Sequence, residues 1–349
     1  MVNWLIRQRP GIPGRLRWDA RCSLSTFESD ASPLEARQKR ELTLLVDGNN
    51  MLYEAYDPRC TVAWNNQQVG TAMRFVQRLH EILRAKNATR FAVFFDTPHV
   101  TKRQLGNAQY KPKHRKRMMP HPLRAQFPVT KSVLEQLGIP VITLQVPGVE
   151  ADDLIASYTK ESIDEGFDVI IVTNDTDMYQ LVKTIGTGDD GTDQSVVVYQ
   201  PFRGRTIPER RVIKLLHGAR PDQQPEIRAL CGDPRGKTPG IPGGVSTQVA
   251  IQLLKQHGNL PSLLRNLDEL DDRGLAQRLK ASISLIEQSY RSSVLNCAVP
   301  LPIPTEQLSI SQPFQFDHNV LLQFFGRDGA EEVVALKEKT KEAKVIPSH

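Results

Sequence analysis

A chain of 349 residues, 39% of them hydrophobic, can bury a substantial core and is sized for one large domain or two modest ones. Its four cysteines, Cys22, Cys60, Cys231 and Cys297, are widely spaced without a CxxC pair, which argues against a zinc module or a disulfide framework and suits a reducing compartment. The formal charge of +6 is mild and no apolar run approaches bilayer-crossing length, so a membrane-spanning chain is not indicated and the distribution of charge matters more than its total.

The first forty residues form a basic zone, with Arg7, Arg9, Arg15, Arg17 and Arg21 against one acid, Asp19, in the first twenty-five. That composition matches an organellar transit peptide or a basic extension with no address, and it has no secretory apolar segment. "LTLLVD" (42 to 47) then predicts a strand, and "QQVGTAMRFVQRLHEILRAK" (67 to 86) a helix. "FAVFFD" (91 to 96) is a second strand ending in an acid. From Thr97 to Leu134 there is no Asp or Glu, while Lys102, Arg103, Lys111, Lys113, Arg115, Lys116, Arg117, Arg124 and Lys131 make a single-sign block of the kind that tracks a phosphate backbone.

A helix is predicted over 128 to 137, and another over 151 to 165 behind the acid cluster of "GVEADDLIAS". "DVIIVTNDTD" (168 to 177) is a third acid-ended strand, and "SVVVYQ" (195 to 200) a fourth strand. Continuous apolar strands alternating with helices indicate an α/β, doubly wound, mainly parallel sheet. From about Pro208 the pattern changes to helices joined by turns, with a Gly- and Pro-dense loop, "GDPRGKTPGIPGGVS". The expected organisation is an extension (1–40), a catalytic α/β domain (41–207), a helical module (208–305) and a C-terminal tail (306–349).

In an open α/β sheet the functional crevice lies beyond the carboxyl ends of the strands. Asp47, Asp96, Asp175 and Asp177 fall at or just past such ends, and Asp152 and Asp153 open a helix whose positive end favours acids. Carboxylates about 4 Å apart repel by roughly 4 kcal/mol at an effective dielectric near 20, so such a rim calls for neutralisation. Oxygen-rich sites with few histidines suit Mg²⁺ or Mn²⁺, and two such ions can drive in-line attack on a phosphodiester. No GxSxG and no GxxxxGK[ST] occur, which disfavours serine hydrolysis and nucleoside triphosphate hydrolysis.

With those residues identified, the chain from about Leu42 to Leu301 resembles the 5′-nuclease (flap endonuclease) family, and most of all the 5′→3′ exonuclease domain of bacterial DNA polymerase I. "LLVDGNNMLYEAY", "FAVFFD", "VPGVEADDLIA", "TNDTDMYQL" and "RPDQQPEIRALCGD" look like its acidic motifs in order. The resemblance implies metal ligation by Asp47, Asp96, Glu150, Asp152, Asp153, Asp175, Asp177 and Asp233. "QYKPKHRKRMMPHPLRAQFP" looks like the arch segment, so Tyr110, Lys111 and Arg115 would face the scissile phosphate. Lys102, Arg103, Lys113, Lys116 and Arg117 would contact DNA. The fold implied is a PIN-like domain followed by a helix-hairpin-helix module, whose glycines Gly240, Gly243 and Gly244 would meet DNA phosphates through backbone N–H groups.

The departures are local. Where the family reads G-D-x-S-D-N-I-P-G the chain has "GDPRGKTPG", so Gly236 stands in place of an acid and Lys237 in place of Asn, which predicts a weakened second metal. In the hairpin Val245 replaces a glycine and Thr247 a lysine, and a β-branched residue resists positive φ, so a distorted turn is expected. The resulting expectation is a stand-alone, monomeric, metal-dependent 5′→3′ exonuclease or flap endonuclease acting on DNA ends, flaps or RNA–DNA hybrids, in a mitochondrion or plastid. A DNA-binding protein with faded catalysis and a PIN-type RNA nuclease are the alternatives.

Overall fold

The structure, a computed structural model, describes residues 40–96, 119–143, 149–186, 193–233, 238–310 and 315–342, with side chains in the last helix described to residue 334. These residues belong to one compact unit, Lys39–His349.

The strands are β1 (Leu42–Asp47), β2 (Ala63–Trp64), β3 (Gln67–Gln68), β4 (Arg90–Phe94), β5 (Val141–Ile142), β6 (Asp168–Val172), β7 (Lys183–Ile185), β8 (Gln194–Gln200) and β9 (Arg205–Ile207). Apart from the β2–β3 hairpin, the described strands form one sheet in the order β5-β4-β1-β6-β8, all parallel. The two halves of β8 pair antiparallel with β7 and β9. Leu44, Leu45 and Val46 are all fully buried, as a strand covered on both faces requires. The doubly wound, mainly parallel sheet expected from the sequence is therefore present.

Around it lie α1 (Gly48–Ala55), α2 (Gly70–Lys86), α3 (His121–Gln136) and α4 (Ala151–Asp164). Alternation along the strands divides the core. Leu44, Val46, Phe91 and Val93 join one cluster with residues of α1, α2 and α3, and Leu45, Ala92, Phe94 and Ile171 join another with residues of α4. Gly48 lets α1 begin directly on β4, because a Cβ there would lie 2.7 Å from the Phe94 carbonyl and from the Phe95 ring.

Boundaries differ from expectation where turn chemistry intervenes. Asn65 and Asn66 both take positive φ, 49° and 60°, the conformation of a tight hairpin turn. Gln67 and Gln68 consequently pair as a strand, and α2 starts at Gly70 rather than at position 67. Helix α3 begins already at His121, with a proline in its first turn and Pro128 inside it, so Pro128 is not the start it was read to be.

The helical module comprises α5 (Glu209–Leu215), α6 (Gln224–Cys231), α7 (Thr247–His257), α8 (Leu260–Arg265), α9 (Arg273–Ala281) and α10 (Ile283–Ser293) around Leu230, Leu254, Leu263, Leu279 and Ile286. The segment read as a tail carries α11 (His318–Glu342), which packs on α2 and α3 through Leu321, Phe325, Ala330 and Val333. Gly326, at φ 69°, interrupts its regular helical geometry, and Trp64 donates its indole N–H to the Gln323 carbonyl at 2.9 Å.

Candidate active site

The rim is built where β1, β4 and β6 end. Asp47 closes β1 and caps α1, accepting from the Asn50 N–H at 2.9 Å, while its other oxygen accepts from the Thr173 hydroxyl at 2.8 Å. Thr173 in turn accepts from the Asp175 N–H at 3.0 Å, and the Asn174 N–H donates to Asn50 Oδ1 at 2.8 Å. The ends of β1 and β6 are thereby locked together. Asp96 follows β4 and accepts from Asn49 Nδ2 and from the Ala151 N–H, each at 2.8 Å, which ties it to the start of α4.

Asp47 is only 5% exposed, and its carboxyl is pushed up to about 7, first by burial and further by the charges of Asp175 and Asp96. Its two hydrogen bonds oppose that shift without cancelling it.

Asp152 in the first turn of α4, and Asp175 and Asp177 in the loop after β6, each bring a carboxylate oxygen to within 4.8 Å of the others. Asp175 caps the short 3₁₀ turn Thr176–Leu181 by accepting from the Asp177 N–H at 3.0 Å. Three converging carboxylates that are not all fully buried match hard, oxygen-loving divalent cations. Combined with the raised Asp47, this donor set fits a divalent metal ion.

The remaining predicted acids are placed differently. Asp153 is outside that group and accepts from the Asn296 N–H at 2.9 Å, so it fastens α4 to the segment after α10. Asp233 is buried and lies beside Arg228, with Nε 3.5 Å from its Oδ2, and its own N–H donates to the Thr238 carbonyl at 3.0 Å. Glu150 is the buried residue that precedes α4. Lys102, Arg103, Tyr110, Lys111, Lys113, Arg115, Lys116 and Arg117 lie outside the described residues, as do Gly236 and Lys237.

In the hairpin before α7 the left-handed backbone falls on Gly243 (φ 77°) and Gly244 (φ 68°), and Val245 does not adopt positive φ. The left-handed backbone of the turn is thus carried by the two glycines ahead of Val245. The Gly244 N–H donates within the turn to the Ile241 carbonyl at 3.0 Å, and Arg278 Nη1 donates to the Gly243 carbonyl at 3.0 Å. Gly240 is a close-packing position, since a Cβ would sit 2.5 Å from the Cys231 carbonyl.

Residues not picked out from sequence complete the rim: Asn49, Asn50, Thr173 and Arg228. Asn49 and Asn50 adjoin Asp47 in "DGNN", a signal that was readable. Arg228, whose guanidinium donates to Asp177, sits in an otherwise ordinary helical pattern.

A parallel sheet with clustered carboxylates at its carboxyl edge, followed by a helical module, defines a nuclease of the phosphodiester-hydrolysing class. Comparison with known proteins agrees and is more specific. The model of the 5′-3′ exonuclease N-terminal, resolvase-like domain matches residues 42–202, and that of the 5′-3′ exonuclease C-terminal SAM fold matches residues 219–315. A 5′-3′ exonuclease of Aquifex aeolicus is 30% identical over 270 residues, covering 77% of this chain and 86% of that protein. DNA polymerase I of Mycobacterium bovis is 33% identical over 296 residues, covering 82% of this chain but 30% of the polymerase. Among solved structures, the bacteriophage T5 5′-exonuclease superposes with a TM-score of 0.55 at 18% identity, covering 87% of this chain and all of that one (100%), which establishes the shared fold. The chain belongs to the 5′-3′ exonuclease family.

Proposed function

We propose that the chain is a divalent-metal-dependent nuclease that removes nucleotides from 5′ ends and cuts 5′ flaps of DNA. The observation that carries this is the convergence of Asp152, Asp175 and Asp177 at the carboxyl edge of the sheet, where burial holds the Asp47 carboxyl high. Mg²⁺ or Mn²⁺ is the ion that this donor set favours. Bound there, it would supply Lewis-acid stabilisation of the phosphodiester and lower the pKa of an attacking water.

The chain's own residues do the positioning. Asn50 and Thr173 hold Asp47 with both oxygens engaged, Asn49 and the Ala151 N–H hold Asp96, and the Asp177 N–H fixes Asp175. Preset carboxylates need no reorganisation when substrate arrives. By resemblance, Tyr110, Lys111 and Arg115 hold the scissile phosphate, and the basic residues around them track the DNA backbone. A T5 flap endonuclease solved as a complex with DNA and metal ions, TM-score 0.58 at 16% identity, supports DNA as the polymer. The wider proposal comprises RNA–DNA hybrids as additional substrates, primer removal in replication or repair, monomeric action, and a mitochondrial or plastid address carried by the basic N-terminal zone.

The test is cleavage of a labelled 5′-flap duplex in Mg²⁺, with EDTA and Asp152→Ala as controls. Cleavage should be abolished by EDTA and fall at least about 100-fold in Asp152→Ala, because several kcal/mol of transition-state stabilisation depends on the ion. Absence of any product in either Mg²⁺ or Mn²⁺ would sink the reading.

A further inference from the structure

Arg228 stands in α6, where every residue from Gln224 to Leu230 is buried. A guanidinium keeps its charge at any accessible pH, and burying it is unfavourable unless carboxylates and hydroxyls satisfy it. Nη1 of Arg228 donates to Asp177 Oδ1, Nη2 donates to Thr176 Oγ1 at 3.0 Å, and Nε lies 3.5 Å from Asp233 Oδ2. All three nitrogens face oxygens; one of the two acid partners, Asp177, belongs to the converging carboxylates, and the other, Asp233, is a metal ligand by the resemblance alone.

Asp177 is also one of the three carboxylates that converge with Asp152 and Asp175. A fixed, covalently attached positive charge therefore sits against Asp177, within the group that also holds Asp152 and Asp175. Two divalent ions would need donor oxygens for each. The Asp177–Asp233 edge has oxygens engaged by the guanidinium, and position 236, where the resemblance calls for an acid, is a glycine. A second cation entering there would lose ligands and meet a like charge that cannot be neutralised by losing a proton.

Resting on the nuclease reading above, we propose that the Arg228 guanidinium substitutes for the second divalent ion, so that the protein binds a single divalent cation tightly, through Asp152, Asp175 and Asp177. Arg228 is then a positioning residue. It holds Asp177 and Asp233 in place and balances their charge, and it makes the Gly236 departure tolerable.

The test is Mn²⁺ binding followed by the paramagnetic resonance of free ion, on wild type, Arg228→Gln and Arg228→Lys, with circular dichroism confirming folding and flap cleavage run in parallel. Wild type and Arg228→Lys should each take up one tight ion. Arg228→Gln should gain a second, bound about tenfold or more tightly than any second ion on wild type, because a like charge has been removed. Two ions of comparable affinity on wild type would overturn the proposal, and so would a folded Arg228→Gln that melts lower but keeps the wild-type isotherm, the behaviour of a purely structural staple. If Arg228→Gln does not fold, the wild-type isotherm decides alone: one ion supports substitution, two refute it. Loss of the proposal leaves the nuclease reading standing while the flap is still cut. A wild type that neither binds Mn²⁺ nor cuts removes both.

Discussion

At the residue scale the most informative group is Asp47. Its carboxyl is raised from 3.8 to about 7, chiefly because it is buried, with Asp175 and Asp96 adding to the effect. A raised acid favours folding while it is protonated, so its contribution is fully present below 3.8 and is lost as pH climbs from there through about 7. At neutral pH the ion-free protein therefore carries a destabilising charge, on the order of 1–4 kcal/mol, at the position its chemistry requires. Asp47→Asn keeps the shape and removes the charge. In EDTA at pH 8 the variant should melt higher than wild type by roughly 3–8 °C, with no gain at pH 4. Saturating Mg²⁺ should reverse that order by stabilising wild type, and flap cleavage should be lost. Calorimetry at the two pH values decides it: equal melting at pH 8 would mean that the carboxylate is not strained.

At the element scale the decisive joint is between β1 and α1. Both asparagines that organise the rim, Asn49 and Asn50, lie in the first turn of a helix whose start packs so closely that a Cβ built on Gly48 would lie 2.7 Å from the Phe94 carbonyl and the Phe95 ring. Gly48→Ala must push α1 off β4, at a cost of about 1–3 kcal/mol for overpacking. The expected result is a lower melting temperature together with a fall of tenfold or more in kcat, roughly what a 1 Å displacement of catalytic groups produces. Unchanged kcat in a destabilised variant would show that the rim is held independently of α1. The same scale explains what could be read from sequence. Acids at three strand ends were legible because strand direction alone delivers them to one edge. Asp152 and Asp153 were not separable, since neighbours on a helix point about 100° apart and sequence does not say which faces the rim. Only the structure shows that Asp153 accepts from the Asn296 N–H while Asp152 joins Asp175 and Asp177. The β2–β3 hairpin was missed because two-residue strands leave no periodicity, and Arg228 because one cation in a helix reads as surface.

For the whole molecule, the question is whether α11 is part of the cooperative unit or an appendage. Its sequence, with Gly326 breaking the helical pattern, reads as a tail, yet Leu321 is fully buried and Val333 nearly so, both within the cluster that lines one face of the sheet. Trp64 reaches across from the β2–β3 hairpin, its ring occupying the space within 2.6 Å of a Cβ built on Gly326, and its N–H bonding Gln323. Such interdigitation is the signature of a core element rather than a docked peptide. Leu321→Ala removes a side chain packed with α2 and α3, and a buried Leu→Ala change costs about 2–5 kcal/mol. In a unit of this size that lowers the melting temperature by roughly 4–15 °C. If α11 unfolded separately, calorimetry of Leu321→Ala would instead give an unchanged main transition, with at most a small shoulder at lower temperature. One shifted cooperative transition, with the Mn²⁺ isotherm unaltered, is the expected outcome, because the ligands Asp152, Asp175 and Asp177 hang on α4 and on the segment after β6 rather than on the C-terminal helix.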